Sequence, residues 1–455
     1  MAEGLIFPQD FSLESCKIIT SQGNPFEFRY MMVELNYFED LYNNTISGNM
    51  FINDSSGFLS LLGFNGNEFL VLKFGKPGSE DKIDRVFRIF KVSDRHITKD
   101  TNENYLLHFT SEETLLSEQY KVSKSYPNKK VSEIVVDIMN NDLLVDPKKF
   151  QLTNVEDTLD TRDIVIPSLS PFEAINWLAT QAISKTPQTQ GSPYLFYENF
   201  YGYNFKSLQS LFDSPVYGTY KYEPKNLTMP EDARVQDMGA EIKNIIVYEM
   251  VSNFDTLRLY DTGGFANKLI AIDTIRSTYS TTVFDYNSYF PSAKKLNTYG
   301  ILSNYKNRKG DAANTTYDGV IKTVTTNTGQ SIKSSYIQSH YPGVKDINIE
   351  VRVPYRTAQF SQINTNKYKV SIPGDPKMTV GNVIEMLIPD MMVNDKGGRD
   401  KDKYYAGKYL VTAVRHKIDQ ENRYVTLMEL CKESLPNAYD TMDNESPAFK
   451  EIKGK

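Results

Sequence analysis

The sequence is poor in the residues that carry most enzyme chemistry. Its 455 residues include two cysteines, four histidines and one tryptophan. Cys16 and Cys431 lie far apart and cannot build a framework of several disulfides. The histidines are His96, His108, His340 and His416, and none belongs to a His-Glu-x-x-His zinc site. A phosphate-binding Gly-x-x-x-x-Gly-Lys loop and a Gly-x-Ser-x-Gly nucleophile turn are also missing.

Long apolar runs and an excess of positive charge are missing as well. No run approaches the roughly 20 apolar residues that span a bilayer, and the first residues do not read as a secretion signal. The net charge is −6, so the chain has no overall positive field with which to hold nucleic acid. These absences predict a protein that is made in a cytoplasm without a membrane anchor, cofactor or metal.

Aromatic residues at strand-like spacing are what the sequence has in abundance. It contains 30 Tyr and 25 Phe, and both types favour strands. Residues 26–30 alternate aromatic and charged side chains, while 50–52 and 69–72 are compact apolar runs between Asn, Asp and Gly turns. Strands spaced by about 8–12 residues predict a sandwich or barrel, here over residues 1–118.

Residues 119–229 have a different pattern, which predicts a mixed α/β domain. Ser170 precedes Pro171 and Glu173, a combination that predicts a helix start with a capping box. Strand-like runs follow at 194–198 and 203–205. An earlier helix is predicted because four apolar side chains share one of its faces, namely Ile134, Val135, Ile138 and Met139.

The second half of the chain returns to strand-like patterns with one interruption. Residues 230–275 and 345–435 are predicted to form a second barrel. Residues 276–344 between them are rich in Ser, Thr, Asn and Tyr, a composition that favours long loops or an insertion over a tight core. Residues 436–455 are predicted to be a flexible polar tail.

Two distant stretches align without a gap, Arg95–Leu115 with Arg415–Leu435. Two interpretations remain open. Any two β-hairpins can align this well by chance, or the chain contains a duplicated barrel whose second copy is interrupted by the polar insertion. The identical pairs are Arg95/Arg415, His96/His416, Asn102/Asn422, Leu107/Leu427, Glu113/Glu433 and Leu115/Leu435.

Four groups of residues invite a chemical interpretation but have a simpler structural one. The two histidines fit opposite positions of a β-hairpin. The two adjacent carboxylates fit the start of a helix, where negative charge interacts favourably with the helix dipole. The aromatic pair has the helical spacing of core residues, and the basic stretch fits a solvated loop. We therefore predict no catalytic, cofactor-binding or metal-binding residue, and no enzymatic activity. The groups are His96 with His108, Glu112 with Glu113, Trp177 with Phe172, and residues 306–309.

Several stretches of the chain resemble the central hub proteins of the baseplate of contractile-tailed bacteriophages. The resemblance covers most of residues 1–435 and departs at about 287–344 and in the tail. Its motifs are loose structural patterns without a catalytic signature. They are Tyr37-Phe38-Glu39-Asp40, Ile46-Ser47-Gly48, Ile52-Asn53-Asp54, Gly66-Asn67-Glu68, residues 167–175, 194–198 and 203–208, Gly264, Asp273, Phe284-Asp285-Tyr286, and Gly374-Asp375 with Gly381.

The resemblance implies a mainly β fold with α+β parts: two tube-like antiparallel β-barrels, a mixed α/β domain and a polar insertion. It implies a homotrimer in the virion tail baseplate that joins a sixfold tail tube to a threefold central spike, with a channel through which DNA passes in transit. The implied partners are further copies of the chain, the spike protein, the tail tube protein, other baseplate proteins and a tape-measure protein.

An alternative class of function stays open from the sequence. The Tyr and Asn content of residues 276–344 also fits contact with sugars, as in a tail-associated carbohydrate-binding or cell-wall-degrading protein. A secretion-system spike would require a β-helix repeat near the C-terminus, and none is visible after Leu435.

Overall fold

The fold is mainly β, which confirms the predicted fold class. The computed structural model describes residues 8–99, 102–186, 191–223, 242–273, 277–301, 321–326, 349–393, 399–420 and 423–438. The strands are β1 Ser12–Ile19, β2 Pro25–Glu27, β3 Met32–Asp40, β4 Ser47–Asp54, β5 Phe69–Gly75, β6 Lys82–Lys99, β7 Asn102–Thr110, β8 Ser125–Lys130, β9 Thr161–Val165, β10 Tyr194–Asn199, β11 Gly202–Ser207, β12 Val216–Lys221, β13 Val247–Ser252, β14 Ala266–Asp273, β15 Thr278–Asp285, β16 Tyr299–Gly300, β17 Ile321–Thr326, β18 Asn366–Pro373, β19 Val383–Leu387, β20 Pro389–Val393, β21 Arg399–Lys401, β22 Gly407–Asp419, β23 Arg423–Lys432 and β24 Ser434–Leu435. The helices are α1 Phe58–Leu62, α2 Glu112–Gln119, α3 Val131–Asp137, α4 Pro171–Gln181, α5 Leu208–Phe212, α6 Thr256–Thr262, α7 Tyr286–Tyr289 and α8 Ile349–Ile363.

The first barrel is built from antiparallel strands in the order β3-β4-β7-β6-β5-β1. Side chains alternate between its core and its surface, as the period of a strand requires. In β4, for example, Met50 and Ile52 are buried while Asn49 and Phe51 lie on the outer side. Gly48 cannot carry a side chain, because a Cβ there would lie 2.2 Å from the ring of Phe109.

The second barrel has the strand order β13-β18-β23-β22-β19-β12. Its last strand, β12, runs parallel to β19. The N–H of Lys221 donates to the carbonyl of Lys243 (3.1 Å), and the N–H of Ile245 donates back to the carbonyl of Lys221 (2.7 Å). These bonds join β12 to the segment that leads into β13, so the ring of strands closes.

The predicted boundaries between domains differ from this arrangement at two strands. β12 lies in the stretch predicted as the α/β domain (119–229) but belongs to the second barrel. β14 lies in the stretch 230–275 assigned to that barrel but pairs elsewhere, with β15 and β17. Local sequence could not show this, because the partner of β12 is more than 160 residues away in the chain.

The two barrels have the same strand order and the same chain order. β1, β3, β4, β5, β6 and β7 of the first correspond to β12, β13, β18, β19, β22 and β23 of the second. One difference is direction, since β1 is antiparallel to β5 whereas β12 is parallel to β19. This topology supports the duplicated-barrel interpretation, with residues 253–365 and the β20–β21 hairpin as additions to the second copy.

The gapless alignment of the two hairpins, however, has the wrong register. The pair Ile89–Phe109 in the first barrel corresponds to Val411–Leu430 in the second, so β23 is displaced from the alignment by one residue. Leu107 is buried in the first core, whereas Leu427 lies on the outer side of its strand. A shift of one residue moves every side chain of a strand to the other face.

Strand β22 connects the two barrels into one sheet. Its first part, up to Leu410, pairs with β19. After a bulge between Val411 and Ala413 it leaves β19, and Ala413–Asp419 pair antiparallel with β3. Tyr424 of β23 then enters the first core, with its ring 5.7 Å from that of Phe74, while its N–H donates to the carbonyl of Gln9 (2.8 Å). The hairpin β22–β23 is therefore part of the wall of both barrels.

The mixed α/β unit contains the predicted helices and strands. The four apolar side chains predicted for one face of the first helix are buried. The N–H of Ser170 donates to the carboxylate of Glu173 (2.9 Å), so the second helix, α4, begins as predicted. Phe172 lies in the core, but Trp177 is only half-buried against its edge.

Part of the predicted polar insertion is folded. β14 lies between β15 and β17 in a three-stranded sheet, and Leu296 is buried in the core of the second barrel. Composition misses this because β15 contains one Ser and three Thr among its eight residues, although it forms a strand. Of the predicted tail, residues 436–438 are described and 439–455 lie outside the described residues. No helix in the described part of the chain is long and apolar enough to cross a bilayer.

Candidate interaction surface

The two barrels share a surface on the outer side of their common sheet. We call the outward-pointing side chains of β13, β18, β23, β22 and β3 the open sheet face. It contains a groove of about 620 Å³ where β3 meets β22. The groove is lined by residues from both barrels, among them Phe38, Asp40, Glu249, Lys369, Arg415 and Leu427.

Charges on the open sheet face are largely paired. Lys367 Nζ lies 2.9 Å from Glu429 Oε1, and Glu34 is bound by both Arg415 (3.3 Å) and Lys417 (3.0 Å). Partial burial raises the pKa of Glu34, but hydrogen bonds from Asn36 and Lys417 outweigh it and hold the pKa below its usual value. The face therefore presents balanced pairs and no dense belt of one sign.

β13 is an edge strand in the described part of the chain, paired with β18 alone. Its apolar side chains are exposed, Val247 by 54% and Val251 by 47%. Glu249 is its one charged residue. Edge strands usually carry charges or proline that block further pairing, and β13 has almost none of this protection.

β6 presents a second open edge. Its residues up to Arg88 pair with β5, but Lys91–Ile97 extend beyond the end of β5 and pair with β7 alone among the described strands. Ile97 is 72% exposed. Sequence reasoning missed both edges because the unpaired side of a strand is set by its distant neighbours.

A buried carboxylate ties the two barrels together beneath this surface. Glu39 of β3 accepts hydrogen bonds from the N–H of Val380 (3.1 Å), the Thr379 hydroxyl and the Tyr37 hydroxyl (3.2 Å). Burial raises the pKa of Glu39 to about 7, although those hydrogen bonds favour the charged form. An acidic residue at an inward position of an aromatic strand was the sequence signal for this site.

A second buried carboxylate ties the α/β unit to the first barrel. Glu198 of β10 accepts hydrogen bonds from the N–H of Ile46 (3.0 Å) and from the hydroxyl of Ser111 (2.5 Å). Burial raises the pKa of Glu198, and the nearby Glu113 adds to the effect. Arg85 of the first barrel donates in return to the carbonyl of Phe200 (2.7 Å). The three units thus meet through buried, directional contacts.

The histidines considered for chemistry are not brought together. His108 lies opposite Lys91 and His96 opposite Asn104, so the two do not face each other across the hairpin. His108 shares a hydrogen bond of 2.8 Å with the hydroxyl of Ser93. Partial burial, helped by Lys91, lowers the pKa of His108.

The remaining histidines are also separate. His416 is buried, and its Nδ1 lies 2.8 Å from the Tyr424 hydroxyl. Desolvation lowers the pKa of His416 to about 3, so it is neutral inside the core. His340 and the basic stretch 306–309 lie outside the described residues.

The adjacent carboxylates at the start of α2 are both engaged in ion pairs. Glu112 contacts Arg88 and Glu113 contacts Lys149, each at 2.9 Å. Across the residues that the structure describes, no group of three or more His, Cys, Asp and Glu side chains is placed to hold a metal ion. Cys16 and Cys431 are free and buried.

Comparison with known proteins gives similar structures but no family. No family model matches the chain, and no curated protein matches it. A tail protein from Neisseria meningitidis MC58 is 10% identical with a TM-score of 0.49, covering 95% of this chain and 100% of that chain. The 43 kDa tail protein of prophage MuSo2 from Shewanella oneidensis is 8% identical with a TM-score of 0.49 and the same coverage. A type VI secretion system component from E. coli is 9% identical with a TM-score of 0.40, covering 95% of this chain and 79% of that chain.

Proposed function

We propose that this chain is the structural hub subunit of a contractile phage tail baseplate. Three copies form a ring that joins the sixfold tail tube to the threefold central spike. The observation that carries the proposal is the repeated strand order of the two barrels and their edge-to-edge junction through β3 and β22. Three chains hold six similar barrels, so a threefold ring presents a nearly sixfold surface to the tube.

The open sheet face lines the channel of this ring. Affinity for DNA grows with the number of Lys and Arg side chains that contact phosphates. On this face Lys367, Arg415 and Lys417 are held by carboxylates of the same face. DNA therefore passes without being held. The tape-measure protein occupies the same channel before ejection.

The other partners bind the two ends of the ring. The tail tube protein contacts the six-barrel end, and the spike and other baseplate proteins contact the remaining surfaces. The protein functions in the virion tail baseplate after synthesis in the host cytoplasm. It acts by assembly alone, without catalysis. Turnover of peptidoglycan that persists when the protein is purified to homogeneity would contradict this last point.

Native mass spectrometry of the purified protein, alone and with the spike protein, tests the proposed ring. The expected species is a trimer, and negative-stain images should show six lobes around a central opening. A stable dimer or hexamer, or a chain that stays monomeric with and without the spike, would contradict the proposed function.

A further inference from the structure

We infer that β13 of one chain pairs antiparallel with Lys91–Ile97 of β6 in a second copy of the chain. This contact rests on the proposed ring and deepens it, because it names the strands that join one subunit to the next. The two strands are the open edges described above, one on each barrel.

The template for the contact lies within the chain. The first barrel presents β3 as its edge, and β22 of the second barrel pairs with it after leaving β19. In the second barrel the position of β3 is taken by β13, and in the first barrel the position of β22 is taken by β6. Like β22, β6 continues beyond the strand that covers its first part. The same junction can therefore form again between two chains.

The internal junction also gives the register. Asn36 of β3 lies opposite Asn49 of β4, and Glu249 of β13 lies opposite Lys369 of β18. Asn49 and Lys369 occupy matching positions in the two barrels. In the first barrel Asn49 lies opposite His108, which lies opposite Lys91, the residue after the bulge in β6. In the second barrel Lys369 lies opposite Glu429, which lies opposite Ala413, the residue after the corresponding bulge in β22. Glu249 therefore takes the place of Asn36.

On the partner strand, His96 takes the place of Lys417. Lys417 lies opposite Val425, and His96 lies opposite Asn104, the position of β7 that corresponds to Val425. Because Lys417 is the residue opposite Asn36 in the internal junction, Glu249 of one chain comes to lie opposite His96 of the next.

The chemistry of the two edges is complementary. Glu249 is the only charged residue of β13, whereas the open part of β6 carries Lys91 and Arg95, the latter also bound to Glu103, with a single acid, Asp94. Val247 and Ile97 supply exposed apolar surface on either side. Opposite charges and apolar pairs across a ladder each stabilise it, so this pairing covers both open edges at once.

The contact is heterologous, since β13 pairs with β6 and not with itself. Such contacts generate either a closed ring or an open filament. In the proposed ring this contact closes after three chains and six barrels.

Cysteine pairing tests the register. One variant carries Glu249→Cys and a second carries His96→Cys, and the two are mixed, assembled and oxidised, with a short bismaleimide in parallel. Directly opposite residues of an antiparallel ladder have Cβ atoms about 4.5–5.5 Å apart, within reach of either linkage. The mixture should give a covalent dimer on a denaturing gel, and a chain with both substitutions should give covalent trimers.

The controls use the same chemistry at positions that should not meet. Each single variant alone should give no covalent product, because Cys16 and Cys431 are buried. Glu249→Cys mixed with Val86→Cys should also give none, since exposed Val86 lies on the part of β6 that pairs with β5.

The possible results separate this inference from the proposed ring. A trimer by native mass spectrometry without a 249–96 product overturns the strand pairing and leaves the ring standing. A covalent product from the Val86 control equal to that from His96 also overturns the pairing. A chain that stays monomeric in every condition overturns both.

Discussion

Glu39 is a buried carboxylate through which the first barrel accepts hydrogen bonds from the second, from Val380 and Thr379. Its pKa is raised to about 7 by burial, whereas an unfolded Glu titrates near 4.5. The folded state thus binds this proton more tightly than the unfolded state does. The resulting contribution to stability is fully present below about pH 4.5 and is lost as the pH rises through about 7.

We expect Glu39→Gln to reduce the change of the free energy of unfolding with pH. The amide keeps an oxygen that can accept hydrogen bonds from Thr379 and Val380, and it never ionises. The free energy of unfolding of the variant should therefore increase relative to that of the wild type as the pH rises from 5 to 8. The gain reaches at most roughly 3 kcal/mol. Denaturant unfolding at both pH values measures it, with the exposed Glu118→Gln as the control. A variant whose deficit is the same at both pH values would show that Glu39 is already charged when buried.

Single residues were predicted well where the cause is local. Ser170 caps α4 because its neighbours in the chain supply both the proline and the glutamate of the capping motif. Trp177 was predicted as core from helical spacing, but it is only half-buried and packs against the core of the α/β unit. The identity of His96 and His416 misled the alignment, since one is exposed and the other fully buried.

At the scale of elements, the inserted region is anchored by Leu296. Its side chain is buried in the second core, and its N–H donates to Glu433 (2.8 Å). We expect Leu296→Ala to cost about 2–5 kcal/mol, as other large-to-small changes in cores do. Thermal melting measures the cost, with the half-exposed Tyr299→Ala as a matched control. If both changes had equally small effects, the insertion would be peripheral, as its composition suggested.

Elements were predictable where their own residues alternate or repeat. β4 and β5 were found from apolar runs between turns, and α3 from its apolar face. β12 and β15 were missed because a strand's membership in a sheet depends on which distant strand it meets. Composition averages over a segment, so it cannot detect a strand such as β15, in which half of the residues are Ser or Thr.

At the scale of the whole molecule, the predicted first domain is incomplete without the end of the chain. Tyr37 and Phe74 pack their rings 5.5 Å and 5.7 Å from those of His416 and Tyr424. We expect a fragment of residues 1–118 to lack a cooperative thermal transition, because its open edge and uncovered core face water. Adding a peptide of residues 405–438 should restore the transition in circular dichroism. A fragment that melts cooperatively alone would show that the β22–β23 wall is dispensable.

The pairing of β3 with β22 also explains why the sequence did not predict how the two barrels are joined. A barrel was predicted for residues 1–118, yet two of its wall strands come from residues 407–432. Two barrels were expected, but the shared hairpin that makes them one sheet follows from contacts separated by more than 370 residues.

The shared hairpin has a consequence for synthesis. At about 5–20 residues per second, β22 leaves the ribosome roughly 20–80 s after β3. During that interval the edge of β3 has no partner, while β6, which has the same place in its barrel as β22, is already made. Neighbouring nascent chains on one messenger can therefore join β3 to β6 and build arrays of first barrels. Once residues 413–419 are synthesised, β22 of the same chain takes the edge of β3 in place of β6 from a neighbouring chain. A strand of the same chain has a far higher local concentration than a strand of another chain. Because β22 and β23 are among the last strands to be translated, the pairing of β22 with β3 is the step that joins the first barrel of each chain to the second barrel of the same chain.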